Sequence, residues 1–298
     1  MLRRQALRLH FDELVKNNQS GLIAEYNQAR SVAERDPGYH ARLTVSTPQV
    51  SSRNRYRDVI TLDDTRVKLG NGDSDYINAN FVKTGGGQSG TICKTIVCQA
   101  PLPTTSEHFW QMCWEQNVLV IVMLTGFYEP CNHGTGVLRE KSFAYFNPHA
   151  KQEFGAFGVE VVESSELALG WTRRRIRLEY RKGGPTREIE HVHCTSWPDF
   201  GALQAGDLEG LAKALKVVEL SRMNNPGSPP VVHCSAGIGR SGTFVALDAL
   251  LALAKQGEWD EVDPLKMVPL LRNQRPGLVQ TAEQYGMIYQ VLLKLLME

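Results

Sequence analysis

The spacing of apolar positions alternates along the chain between a helical and an extended repeat. Apolar residues three to four positions apart predict one or two helices at 7–34 and further helices at 105–116, 207–223, 241–255 and about 282–296. Short apolar runs bounded by turn residues predict strands within 59–97 and at 118–124, 157–162, 173–180 and 231–232. The segment 36–52, which is rich in Pro, Gly and hydroxyl residues, is predicted as a connection. Helices that follow strands in this way are typical of an α/β domain.

Composition and charge narrow the class of protein. With 298 residues, 42% hydrophobic and 22% charged, the chain is of the globular class, and without a repeat or linker we predict one domain over 1–298. The net charge of +1 gives no general attraction to nucleic acid or to an anionic membrane, so an anion needs a local site. Six cysteines without a C-x2-C pair are typical of a reducing compartment. With no apolar run long enough to cross a membrane and no signal peptide, we expect a cytoplasmic protein, or alternatively a nuclear one.

The most distinctive segment is 231–243 (VVHCSAGIGRSGT), where a predicted strand leads through a loop of small residues into a helix. Such a loop points backbone N–H groups inward, and the positive end of the helix dipole makes it suited to bind an anion. The same field would stabilise the thiolate of Cys234 at the start of the loop. Arg240, six positions later, carries a planar guanidinium that can contact two phosphate oxygens.

An ordinary buried thiol is the simplest alternative for Cys234. Of the six cysteines, however, only Cys234 has an arginine at the sixth position after it. Cys194 also follows a histidine, but its sixth follower is Phe200. We therefore favour a reactive cysteine at position 234.

Several segments resemble motifs of the cysteine-based protein tyrosine phosphatases, of the tyrosine-specific group. Besides the loop at 233–243, these are 53–59 (RNRYRDV, the phosphotyrosine-recognition loop), 75–80 (DYINAN) and 109–115 (FWQMCWE, both framework), 197–201 (WPDFG, the mobile acid loop), and 274–277 (QRPG) with 280–285 (QTAEQY, the glutamine loop). The resemblance implies a strongly twisted mixed β-sheet flanked by helices, with a phosphate-binding loop between a strand and a helix N-terminus. It is poor before residue 52, so we expect a divergent N-terminal helical segment at 1–52 and a catalytic core at 53–298.

The resemblance also implies roles around the loop. Cys234 would be the nucleophile, Ser241 would stabilise the departing thiolate, and His233 would support the loop and the acidity of the thiol. The phosphate would be bound by Arg240 and by the loop residues Ser235, Ala236, Gly237, Ile238 and Gly239.

A proton donor and a water-placing group complete the implied reaction. A tyrosyl oxygen leaves more easily when it is protonated, and a carboxylic acid such as Asp199 can supply the proton before acting as a base. Pro198-Asp199-Phe200-Gly201 is also ordinary turn chemistry, so we expect a turn that carries the acid. Gln280 would orient the attacking water, with a smaller contribution from Gln284.

Other residues set the substrate and support the site. Tyr56 would form an aromatic wall that makes the pocket deep enough to favour phosphotyrosine over phosphoserine. Asp58 would accept hydrogen bonds from the substrate backbone. Glu129 would pair with Arg240, whereas the unusually long connection at 131–139 leaves open whether Lys141 lines the pocket.

Competing functions are less well supported by the same residues. The loop glycines spell G-x-G-x-x-G, but this motif lies late in the chain and Arg240 would obstruct a pyrophosphate. Residues 199–201 mimic the kinase DFG triplet, but no glycine-rich loop with its lysine and no H-R-D segment accompany them. A catalytically weak phosphotyrosine-binding module and a dual-specificity or phosphoinositide phosphatase remain as alternatives.

Two further clusters have ordinary explanations. His191, His193 and Cys194 lack a suitably spaced fourth ligand for a metal site, so we expect strand positions. The basic run at 173–181 is expected to be a solvated strand face, with a preference for acidic peptides as a hypothesis. We expect no metal or cofactor, no nucleic acid and no membrane span. The expected partners are phosphotyrosine proteins, and the expected oligomeric state is a monomer.

Overall fold

A computed structural model of the chain describes residues 2–70, 72, 74–85, 92–130, 137–203 and 205–297. The helices are α1 (Leu2–Leu14), α2 (Lys16–Val32), α3 (Pro48–Ser52), α4 (Ser106–Glu115), α5 (Leu208–Asn224), α6 (Gly239–Lys255), α7 (Pro264–Arg272) and α8 (Ala282–Met297). The strands are β1 (Arg66–Lys68), β2 (Tyr76–Gly85), β3 (Ile92–Cys98), β4 (Val120–Met123), β5 (Tyr128–Pro130), β6 (Leu138–Glu140), β7 (Gln152–Phe154), β8 (Phe157–Ala168), β9 (Trp171–Tyr180), β10 (Thr186–Cys194) and β11 (Val231–His233).

Nine of these strands form one large twisted sheet in the order β1-β2-β3-β11-β4-β10-β9-β8-β7. The central pairs β3–β11, β11–β4 and β4–β10 are parallel, and the outer pairs are antiparallel. Strands β5 and β6 form a separate ribbon. The predicted mixed sheet flanked by helices is therefore confirmed.

The central strand β11 explains where the candidate nucleophile lies. All three of its residues are buried, because apolar layers cover both faces of the sheet. Val232 faces the layer that contains α5, α6 and α8, and Val231 faces the layer that contains α4. Cys234 follows directly at the carboxyl end of the parallel strands, the edge at which open α/β sheets commonly bind ligands.

The N-terminal helices pack on the same layer as α8. Leu22, Tyr26 and Ala29 on α2 belong to the apolar cluster that also contains Tyr285 and Ile288. The helices predicted at 7–34 are present, although the first begins at Leu2. Three consecutive residues in the left-handed conformation, 17–19, separate the regular parts of α1 and α2.

The differences from the predicted elements have physical reasons. Helix α7 was not predicted because it carries Pro269 in its interior, although Asp263 caps it by accepting from the Leu265 N–H. Strand β8 continues beyond the predicted end at 162 because it pairs with β9 through a polar, ion-paired stretch without apolar alternation. The ribbon β5–β6 and the short β7 were missed as well. Much of the long connection at 131–139, namely 131–136, lies outside the described residues.

Across the described ranges, none of the helices is long and apolar enough to cross a membrane.

The contact between α5 and the sheet requires a glycine at position 210. A Cβ atom there would lie 2.1 Å from Cδ1 of Trp171, which is almost fully buried. We therefore expect Gly210→Ala to lower the free energy of unfolding by roughly 1–3 kcal/mol through overpacking, although alanine favours a helix. Urea unfolding measures the change, with Gly227→Ala as the control because nothing lies within 4 Å of a Cβ there. Equal stability of the two variants would contradict this packing.

Candidate active site

The loop after β11 is shaped by glycines that allow close approach. Gly237 has a φ of +69°, and a Cβ atom there would lie 2.0 Å from the carbonyl oxygen of Cys98. A Cβ on Gly239, the first residue of α6, would lie 2.9 Å from Nε2 of Gln284. Larger side chains at these two positions would clash with neighbouring segments, which explains why the loop consists of small residues. The Cys234 side chain lies at the start of this loop and is 3% exposed.

A buried arginine outside the loop holds its carbonyl groups. Arg275 donates from Nε to the Gly237 oxygen at 2.8 Å and from Nη2 to the Ala236 oxygen at 3.2 Å. Its other bonds go to the side chains of Asn78 and Asn80. Because these carbonyls are bound to Arg275, they do not face an anion inside the loop. The sequence motif contained Arg275, but its role could not be read without the contact.

Arg240 lies at the centre of the site and is 1% exposed. Its Nη1 donates to Oε1 of Glu129 at 2.7 Å and to the Trp197 carbonyl at 2.9 Å. Its Nη2 donates to Glu129 Oε2 at 3.2 Å and to Asp199 Oδ1 at 3.3 Å. Burial acts to lower the pKa of Arg240, but its electrostatic interactions with Cys234, Glu129 and Asp199 raise the pKa overall. The structure therefore brings the predicted Glu129 and Asp199 together on one cation.

Arg240 and Ser241, at the end of the loop that begins at Cys234, each carry a buried hydrogen-bond donor. Within the part of the chain that the structure describes, neither Nε of Arg240 nor Oγ of Ser241 has a hydrogen-bond partner. A buried polar group without a partner is uncommon and typically costs about 1–3 kcal/mol. An anion bound in the loop would be an acceptor for such donors.

The acid loop is closed over this cation. Asp199 Oδ2 accepts from Nζ of Lys141 at 2.6 Å, so Lys141 does reach the pocket. Burial acts to lower the pKa of Lys141, but the hydrogen bond and charge of Asp199 raise it overall. Phe200 has a φ of +62°, and its carbonyl accepts from Oγ1 of Thr281 at 3.0 Å. The acid loop is thereby attached to the glutamine loop.

Tyr56 lies against the loop that begins at Cys234. Its hydroxyl lies 2.8 Å from Oγ of Ser235, which donates to the Lys141 carbonyl at 2.8 Å. Since the Ser235 proton is used in that bond, the Tyr56 hydroxyl is the donor to Ser235. Tyr56 is half-buried and Asp58 is exposed nearby in the chain.

The two glutamines also meet the loop. Oε1 of Gln284 accepts from the backbone N–H of Gln280 at 2.9 Å. A Cβ on Gly239 would lie 3.1 Å from Oε1 of Gln280, so both amide side chains lie against the start of α6.

Comparison with known proteins decides the family. The family model for protein-tyrosine phosphatase matches residues 50–294. The chain belongs to the protein-tyrosine phosphatase family. Human tyrosine-protein phosphatase non-receptor type 2 is 36% identical over 83% of this chain and 57% of its own length. Mouse tyrosine-protein phosphatase non-receptor type 20 is 32% identical over 98% of this chain and 64% of its own length. Chicken receptor-type tyrosine-protein phosphatase eta is 34% identical over 99% of this chain and 20% of its own length. The chain thus spans less than two thirds of each of these relatives.

In this phosphatase domain, buried hydrogen bonds fix the ring of His233. Its Nδ1 lies 3.1 Å from the Cys234 carbonyl, so Nδ1 carries the proton and donates. Nε2 then accepts from the Tyr145 hydroxyl at 2.7 Å, and the Tyr145 oxygen lies 2.8 Å from Nε2 of His191. Burial lowers the pKa of His233 to about 3, so the ring is neutral and does not exchange a proton with substrate at neutral pH. This geometry supports the predicted role of His233 in shaping the loop.

The histidines of β10 and the basic run at 173–181 are held by local hydrogen bonds and ion pairs. Nε2 of His193 lies 2.8 Å from the Thr125 carbonyl, and Arg174 lies against its Nδ1. Three arginines of the basic run pair with neighbouring glutamates, namely Arg173, Arg175 and Arg177. Among the residues described, no group of three His, Cys, Asp or Glu side chains is arranged to hold a metal ion.

The buried histidines make stability dependent on pH. Burial lowers the pKa of His193 from 6.5 to about 4, so the unfolded chain binds a proton below about pH 6.5 that the folded protein does not. The free energy of unfolding should therefore fall between pH 6.5 and 4, with His193 contributing on the order of 3 kcal/mol. Urea unfolding at several pH values measures the slope. His193→Gln should give a shallower slope, and an unchanged slope in this variant would contradict the assignment.

Proposed function

We propose that this domain is a protein tyrosine phosphatase that hydrolyses phosphotyrosine in proteins through a covalent cysteinyl phosphate. The observation that carries the proposal is the loop after β11, which begins at Cys234 and leads to two buried donors, on Arg240 and Ser241, that have no acceptor among the described residues. A phosphate group offers the acceptor oxygens that Arg240 and the loop amides require.

In the first step, the Cys234 thiolate attacks phosphorus and the bond to the tyrosyl oxygen breaks. Asp199, in its protonated form, gives its proton to that oxygen, so tyrosine leaves as the neutral phenol. Arg240 stabilises the equatorial phosphate oxygens through Nε while its Nη atoms remain bound to Glu129. Lys141 and Arg240 hold the resulting carboxylate of Asp199 over the loop between the first step and the second.

In the second step, water attacks the phosphocysteine and the S–P bond breaks. Gln280, two residues before α8, orients the water, and the Asp199 carboxylate accepts its proton. The Ser241 hydroxyl, which has no other acceptor among the described residues, donates to the departing thiolate. Inorganic phosphate then leaves and the thiolate is restored.

The substrate class follows from the wall beside the loop. The Tyr56 ring is fixed at the rim by its bond to Ser235, so a phosphate must enter along an aromatic surface. A phosphotyrosyl ring extends along this wall, whereas the shorter phosphoserine side chain does not reach the base with its backbone outside. Exposed Asp58 would accept N–H groups of the bound peptide. We place this activity in signalling in the cytoplasm, with the nucleus as the alternative, and assign no cofactor and a monomeric state.

The nucleophile and substrate class are tested together with phosphotyrosine and phosphoserine peptides in excess chelator. We expect turnover of the phosphotyrosine peptide only, lost in Cys234→Ser and retained in the control Cys93→Ser, whose cysteine lies in β3 away from the loop. Turnover of both peptides would instead indicate a dual-specificity enzyme. Binding without turnover in folded, reduced protein would indicate a phosphotyrosine-binding module.

The acid is tested by the dependence of the rate on the leaving group. For phosphotyrosine, Asp199→Asn should lower the rate by roughly 10²–10⁴, because the phenol no longer receives a proton. For an aryl phosphate with an acidic nitrophenol leaving group, the loss should be much smaller. Steady-state kinetics on both substrates measures the two losses, and equal losses would show that Asp199 is not the proton donor.

A further inference from the structure

The residue before Gln280 has a strained backbone. Val279 has a φ of +59°, a left-handed conformation that is an outlier for a β-branched residue. Its side chain is fully buried, and a Cβ on Gly242 of α6 would lie 2.3 Å from its nitrogen. Such a conformation persists only where surrounding contacts determine it, and it is common at functional sites.

Hydrogen bonds to the backbone hold this strained turn. The Val279 N–H donates to the Ile238 carbonyl at 3.0 Å. Arg272 donates to the Val279 carbonyl at 2.8 Å. The Tyr26 hydroxyl lies 3.2 Å from the same carbonyl and 2.5 Å from the carbonyl of Gln280. Gln280 is therefore held at both of its peptide groups, by Gln284 at the N–H and by Tyr26 at the carbonyl.

Tyr26 is itself fixed in place on α2. Its side chain is 4% exposed, and burial raises the pKa of its hydroxyl, so the hydroxyl remains a donor. The adjacent Glu25 is buried and accepts from the hydroxyls of Tyr285 and Tyr289 on α8 at 2.7 Å each. His10 of α1 lies 2.7 Å from its other oxygen. The N-terminal segment, which precedes the match to the family at 50–294, is thus locked to the helix that follows the glutamine loop.

We propose that Tyr26 is a positioning residue for hydrolysis of the phosphocysteine. By binding the Gln280 carbonyl, it holds the strained turn from which the Gln280 side chain reaches the loop. This inference rests on the proposed phosphatase function. Because the first step uses Cys234, Arg240 and Asp199, loss of the Tyr26 hydroxyl should slow only the second step.

The test is Tyr26→Phe, which keeps the buried ring and removes the hydroxyl. With an aryl phosphate whose leaving group is chromogenic, we expect kcat and KM to fall together by about five-fold, the effect of one ordinary hydrogen bond. The ratio kcat/KM, which reports the first step, should stay within a factor of about two. Rapid mixing should show a larger initial burst of phenol than in wild type, because phosphoenzyme accumulates.

The matched control is Tyr289→Phe, which removes another buried hydroxyl bond between α8 and α2 without touching Gln280. It should lower the thermal midpoint without separating kcat from kcat/KM. Unchanged kinetics in Tyr26→Phe, or equal losses in kcat and kcat/KM, would overturn the positioning role. Failure of the phosphatase mechanism is a different result, in which wild type itself shows no turnover.

Discussion

The pairing of the buried Arg240 guanidinium with carboxylates is the interaction on which the site depends. A fully buried cation needs partners, and removing one partner of such a pair typically costs about 3–5 kcal/mol because the remaining charge is left unpaired. Glu129, the Trp197 carbonyl and Asp199 supply these partners from two segments that are distant in sequence. The same charge that would bind phosphate therefore also joins the β5–β6 ribbon and the acid loop to the loop that begins at Cys234.

The parallel strands at the centre of the sheet bring these segments together. Strands β3, β11, β4 and β10 run in one direction, so their carboxyl ends lie along one edge. Each end leads into a different part of the site. Strand β3 leads to Ala100, whose N–H binds the Ser235 carbonyl, and β11 leads to Cys234. Strand β4 leads to Glu129 and β10 to Asp199. Site residues that are far apart in the sequence are therefore brought to one edge of the sheet by the order of its strands.

The parts of the site that depend on local sequence could be predicted. Strand, glycines, arginine and helix all lie within 231–243, so the loop was recognisable without any tertiary contact. Long-range contacts were not readable in this way. Arg275 was part of a recognised motif, yet its bond to the Gly237 carbonyl appears only in the fold. The sequence does not decide whether Lys141 lines the pocket, because Lys141 follows a long connection. Its hydrogen bond to Asp199 places it there.

The long-range contacts of the N-terminal segment were even less predictable from the sequence. A helical repeat predicts that residues 7–34 form helices, but it carries no information on which loop they support. The contact between Tyr26 and the glutamine loop joins residues 254 positions apart. Helix α7 was missed for a local reason, since a proline in the interior, here Pro269, normally argues against a helix. In both cases contacts between segments far apart in the chain decided the structure.

The covalent intermediate on Cys234 is the central claim of this account. It is tested most directly by mixing Gln280→Ala with a phosphotyrosine peptide, quenching in acid within the first turnover and locating the phosphoryl group by mass spectrometry. We expect a phosphoryl adduct on the peptide that contains Cys234, formed as tyrosine is released. Release of tyrosine with the adduct on another residue, or with no adduct at any time, would contradict it.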